Sequence, residues 1–147
     1  MKADVEKPVT RFSACLMFSA NALARAITAI GEEEFGRFGL SYSHAYLLIE
    51  VIESPGITPT QLSNSLYLTP STITRLIEKL EQKRLVKREA EGKNTFVYPT
   101  AEGMDMTGAI RTAWERTGER YMSAIGEEQA HALAKQVFRA VRALESE

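Results

Sequence analysis

The 147-residue sequence predicts a mostly α-helical chain carrying one small β-hairpin. Two observations lead there. Thr58-Pro59 and Thr69-Pro70 mark two helix starts eleven residues apart. Apolar residues recur every three or four positions along most of the chain, but 85–98 is rich in β-branched, aromatic or alternating residues around a glycine-containing turn.

Composition sets the outer limits. A 44% hydrophobic and 25% charged chain of this length suits one soluble globular domain, 1–147, with a real core. Its apolar runs fall short of the ~20 residues needed to span a bilayer, so no membrane partner is expected. The polar start, Met1–Pro8, lacks the apolar run of a secretion leader. One cysteine cannot form an internal disulfide. The expected location is therefore cytoplasmic.

Residues 9–35 read as one long helix, because Phe12, Leu16, Ser19, Leu23, Ile27 and Ile30 keep helical spacing. Gly36 and Gly39 follow it. Ser41 opens a second helix with Ala45, Leu48, Ile49 and Ile52 on its apolar face, closed by Ser54-Pro55-Gly56. Thr58 then supplies a hydroxyl N-cap, Pro59 the first turn, and Gln61 the partner of a capping box. Only about two turns fit before Tyr67-Leu68. A helix so short must pack on its neighbour. Two such helices joined by a tight turn form a helix-turn-helix, whose second helix enters a DNA groove.

That second helix has two faces. Ile73, Leu76, Ile77 and Leu80 point inward; Ser71, Thr74, Arg75, Glu78 and Gln82 point outward, with Thr72 and Lys79 on the flanks. Hydroxyls, an arginine and a lysine suit base edges and phosphates. A merely solvated amphipathic helix is the plain alternative, and the following hairpin weighs against it. Strands are expected at 85–90 and 95–98 around a four-residue turn, Glu91–Asn94, with Pro99 ending the second strand. Such a hairpin is not stable alone and leans on the preceding helices. Residues 41–100 thus form a winged helix with Lys93 at the wing tip.

Thr100 caps a helix over 101–124, and Gly126 separates it from a last helix over 127–145. There Ala130, Leu133, Ala134, Val137, Val141 and Leu144 form a stripe close to a heptad seam. The seam fits the chain's own first helix or a second copy. One reader reaches only one half-site, which favours the second copy. Helices 9–35 and 101–145 are accordingly expected to mediate dimerisation.

Charge follows the same map. The whole chain carries −1, yet residues 71–95 hold seven basic and four acidic side chains, a local +3. Each flank is −2. A patch of +3 binds DNA weakly, and two copies about double the phosphate contacts.

Thr69-Pro70-Ser71-Thr72-Ile73-Thr74-Arg75-Leu76-Ile77-Glu78-Lys79-Leu80-Glu81, then Leu85-Val86-Lys87-Arg88, within this order of helices, resembles the MarR family of dimeric winged-helix regulators. Thr100-Ala101-Glu102-Gly103 is similar to the family's helix start after the wing. The resemblance spans nearly the whole chain and is strongest over 57–103. It implies a homodimeric transcriptional regulator, usually a repressor, on a pseudo-palindromic operator in double-stranded DNA. A small molecule or oxidant acting near the first helices would release it. The candidate DNA contacts are Thr58, Thr69, Ser71, Thr72, Thr74, Arg75, Lys79, Arg88, Lys93 and Asn94. The family's wing tip often carries an aspartate and paired arginines; here it is Gly92-Lys93-Asn94. Lysine, more strongly hydrated, enters a narrow minor groove less readily than arginine.

Two triggers stay open. Phe12, Leu16, Tyr42 and Tyr46 are candidates to line a pocket for a small aromatic or apolar effector, although core packing explains aromatics there equally well. Cys15 lies four residues after Arg11 on the expected first helix, and a one-cysteine peroxide-sensing branch of the family has its thiol at a similar place. Tyr42 fits that branch's tyrosine at the second helix; Ala29 stands near where a further tyrosine is expected. An inert small hydrophobe is the competing role for Cys15. Glu128-Gln129-Ala130-His131 has a di-iron spacing but stands alone, so no metal or cofactor is expected. Two histidines and one cysteine do not assemble a catalytic set. A winged helix that contacts protein remains the alternative from another class. The basic residues at Arg75, Lys79, Arg88 and Lys93 argue against it.

Overall fold

Hydroxyl caps and prolines place most helix starts where the sequence puts them. Among the described residues, 9–146, the computed structural model has seven helices and a two-stranded antiparallel sheet. The polar run 1–8, and with it the expectation about a leader, lies outside the described residues. In chain order the elements are α1 (Leu16–Gly36), α2 (Tyr42–Glu53), α3 (Pro59–Leu66), α4 (Pro70–Gln82), β1 (Val86–Glu91), β2 (Asn94–Pro99), α5 (Ala101–Asp105), α6 (Thr107–Ile125) and α7 (Glu127–Glu145).

The main core belongs to the reader. Leu47, Leu48 and Val51 of α2 meet Leu62 of α3, Ile73, Ile77 and Leu80 of α4, and Val86 and Val97 of the hairpin, all buried. Ile110 of α6 joins them, so the reader and the long helices share this core. The hairpin gains a third edge where Ile57 pairs with Val97: Gly56 N–H donates to the Val97 carbonyl at 2.8 Å and Val97 N–H to the Ile57 carbonyl at 3.0 Å.

Three boundaries differ from the sequence reading. The first helix begins at Leu16, not at residue 9. The Thr10 hydroxyl accepts the Phe12 amide at 3.1 Å, and Ser13 and Cys15 amides close turns onto Thr10 and Phe12 carbonyls. Such local bonds compete with helix propagation. Cys15 is therefore the extended N-cap of α1 and exposed, not a residue on an apolar helix face. The hairpin loop has two residues rather than four, because Glu91 pairs with Asn94. Gly92, at φ +63°, takes the first central position, where a II′ turn needs positive φ. The helix expected over 101–124 is broken at Met106, where the Thr107 hydroxyl takes the Met104 carbonyl at 2.7 Å.

α6 runs along α1. Arg120 of α6 reaches two carboxylates of α1, Glu33 at 2.8 Å and the buried Glu34 at 3.2 Å. α7 is different. Ala130 is buried and Leu133 and Val141 are half-buried, while Val137, Phe138 and Leu144 are exposed. Leu16, Met17 and Phe18 at the start of α1 are exposed as well.

Candidate nucleic-acid interface

The first short helix is held by a complete capping box. Thr58 Oγ1 accepts the Gln61 amide at 3.2 Å, and Gln61 Oε1 accepts the Thr58 amide at 3.0 Å. Its last turn ends on Tyr67 in the left-handed region, φ 55°, which redirects the chain into α4. Thr69 caps α4 through the Thr72 amide at 3.4 Å. Its hydroxyl also stands 2.9 Å from Thr72 Oγ1 and 3.3 Å from Ser71 Oγ. Arg75 Nη2 donates to Thr72 Oγ1 at 3.5 Å. Thr69, Ser71, Thr72 and Arg75 thus form one polar cluster over the first turn of α4, with Thr72 half-buried and the rest exposed. The outward-facing first turn of such a helix meets base edges when it enters a major groove.

The remaining candidates sit differently. Thr74 is exposed, but its hydroxyl donates back to the Pro70 carbonyl at 3.0 Å. Lys79 lies exposed in the last turn of α4. Thr58 is half-buried and bound up in its box at the start of α3, one helix before the cluster. Lys93 and Asn94 stand exposed at the hairpin turn. Arg88, expected on DNA, directs Nη2 to Glu81 Oε1 of α4 at 2.6 Å. The acid in that pair was visible in the sequence only as one charge among eleven; a strand-to-helix pairing has no local spacing to announce it.

The helix end behind this surface is unusual. Arg84 takes φ 60°, with Leu85 N–H bonded to the Leu80 carbonyl and Arg84 N–H to the Glu81 carbonyl, both at 2.9 Å. This is a Schellman end with arginine where glycine is usual. It aims β1 back along α4. Thr100 then locks the base of the hairpin, its hydroxyl on the Arg84 carbonyl at 2.7 Å and its amide on the Leu85 carbonyl at 3.1 Å.

A cavity of about 280 Å³ lies between α1, α2, α6 and α7, walled by Leu23, Ile27, Tyr46, Trp114, Tyr121 and Val137 among others. Tyr46 meets Trp114 edge-on at 4.8 Å and Tyr42 at 6.1 Å. Burial, followed by the neighbouring Tyr121 and Tyr42, pushes the Tyr46 phenol above its ordinary value, so it keeps its proton as a donor. Of the four residues expected to line a pocket, Tyr46 does so. Tyr42 stands behind it, and Phe12 and Leu16 sit away from it on the exposed N-terminal end. Phe12 precedes α1 and Leu16 opens it. Trp114 and Tyr121 lie on α6, and no sequence spacing relates them to Tyr46. Arg11, the cation nearest Cys15 in sequence, has its guanidinium over the Phe12 ring at 4.9 Å.

No helix among the described residues is long and apolar enough to cross a membrane. Residues 38–94 match the family model described as MarR family. The chain is 24% identical over 126 residues, 84% of each chain, to the uncharacterised HTH-type transcriptional regulator YybA of Bacillus subtilis. Its fold is similar to that in the S. aureus MepR–DNA complex, with TM-score 0.76, 15% identity and coverage of 93% of this chain and 99% of that one. It is also similar to CouR from Rhodococcus jostii RHA1 bound to p-coumaroyl-CoA, with TM-score 0.75, 18% identity and coverage of 88% and 93%. The chain thus has a helix-turn-helix, a wing and flanking long helices, a fold similar to these solved structures, and its stretch 38–94 matches the MarR family model.

Proposed function

We propose that the chain is a MarR-family DNA-binding transcriptional regulator that acts in the cytoplasm as a homodimeric repressor, released from a pseudo-palindromic operator by a small aromatic or apolar effector. The observation that carries the reading is the polar cluster at the entry of α4, Thr69, Ser71 and Arg75 exposed and Thr72 half-buried, together with the exposed wing-tip Lys93. Arg75 is the residue suited to a base contact, because its fork matches guanine acceptors. Lys79, Lys93 and Asn94 would meet phosphates and sugars. Support for two copies comes from Leu16, Val137 and Leu144, which stay 74%, 46% and 68% exposed in a single chain. Two readers on a two-fold axis would engage half-sites about 34–36 Å apart. Support for an effector comes from the aromatic cavity, which touches α2 of the reader and α1, α6 and α7 beside it.

The test uses duplexes selected by the wild-type protein from a randomised pool. Arg75→Ala should cost about 1–3 kcal/mol on the selected sequence and relax its specificity. Lys93→Ala should weaken all sequences alike and reduce the salt slope by about one. Undiminished affinity in the double variant, with the fold intact by circular dichroism, rejects the assignment. Release by peroxide in the wild type but not in Cys15→Ser would replace the effector by oxidation.

A further inference from the structure

We propose that Arg88 is a positioning residue for DNA binding: its ion pair with Glu81 sets the angle of the wing on the recognition helix. This rests on the DNA-binding reading above and deepens it. A basic residue in a wing is ordinarily taken for a phosphate contact, and the structure gives this one another use. Arg88 stands on β1 opposite Val97, one residue after Lys87, and reaches Glu81 in the last turn of α4 at 2.6 Å. Both side chains are only about one-third exposed, 37% and 30%. Among the described residues it is the one ion pair that joins the hairpin to α4.

The geometry explains why such a strut is needed. The hairpin is anchored at its base, by Thr100 on Arg84 and Leu85 and by the Ile57–Val97 bridge. Beyond Val86, β1 is exposed at every position; on β2 full burial ends at Val97, Phe96 and Thr95 are half-buried, and the tip itself is exposed. A two-stranded ribbon anchored only at one end can change its inclination at little cost. Lys93 sits at the free end, where a small change of angle moves it furthest. The tip offers a single cation, so its phosphate contact depends on that angle. Glu81 is otherwise an uncompensated acid on the helix that enters the groove, and the pair also neutralises it.

The two roles for Arg88 predict opposite signs for one variant. If Arg88 were a phosphate contact restrained by Glu81, Glu81→Gln would free the guanidinium, remove a negative charge and tighten binding. Under the positioning role, Glu81→Gln loosens the wing and weakens binding about fivefold, the scale of one good partly exposed ion pair. The salt slope then falls by about one as the Lys93 contact is lost. Reversing the pair, Glu81→Arg with Arg88→Glu, should return affinity to within about twofold of wild type, whereas Arg88→Glu alone should not. The probe is the pool-selected duplex, and thermal unfolding of each variant controls for the fold. Equal or tighter binding by Glu81→Gln, or a reversed pair as weak as Arg88→Glu alone, overturns the proposal. Wild-type protein without salt-dependent, sequence-selective binding would sink the DNA-binding reading itself, and this proposal with it.

Discussion

His44 shows how one side chain ties the reader to pH. It sits half-buried in the first turn of α2, with Nδ1 sharing a 2.6 Å hydrogen bond with the N-cap Ser41 hydroxyl. Burial, then the Lys83 and Lys79 ammonium groups at the end of α4, push its imidazole below the ordinary value of 6.5; Glu32 opposes them. The folded chain therefore holds fewer protons on this site than the unfolded chain does. Stability from His44 is complete above 6.5 and is lost as pH falls through the lower folded value. In urea unfolding, wild-type stability should decline on acidification below 6.5, and His44→Gln should flatten that decline. An equal slope in the two proteins would remove His44 as its source.

At the scale of elements, the junction of wing and α5 depends on a missing side chain. Gly103 lies against the main chain at Leu85, and a Cβ built there would collide with the Leu85 carbonyl oxygen. That oxygen also accepts the Thr100 amide at 3.1 Å. Gly103→Ala must push α5 off the base of the hairpin or break that bond. The expected cost is about 1–3 kcal/mol, the usual range for forcing volume into a packed site. Denaturant midpoints compare the two proteins, and an unchanged midpoint would show that the junction yields freely. The sequence marked Gly103 only as part of a helix start resembling the family's; the close approach that requires it is between residues eighteen positions apart.

Whole-molecule architecture turns on α7. A helix with Val137, Phe138 and Leu144 exposed leaves an apolar stripe, and Leu16, Met17 and Phe18 at the start of α1 are exposed as well. Phe138 finds one partner within the chain, Tyr67, edge-on at 5.4 Å. If the stripe and α1 meet a second copy, Leu133→Glu or Val137→Glu buries an unpaired charge at that contact. Sedimentation should then show dissociation or unfolding of the dimer. Wild-type protein that sediments as a monomer at micromolar concentration would contradict the dimer outright.

Local chemistry was enough for the reader. Thr58, Gln61, Thr69, Pro59 and Pro70 act within four residues of themselves, so their helix starts were legible without any partner. Ile73, Ile77 and Leu80 likewise announced a buried face by spacing alone. Other features depended on contacts far apart in the chain. The start of α1 at Leu16 reflects turn bonds of Thr10 that helical periodicity conceals. The cavity draws Leu23, Tyr46, Trp114 and Val137 from four helices, and no spacing relates them. Arg88 shows the division within one residue. Its charge and place on a wing strand followed from the sequence, but its partner did not. A guanidinium meets whichever carboxylate the folded chain brings within reach, and here that is Glu81, on a different element.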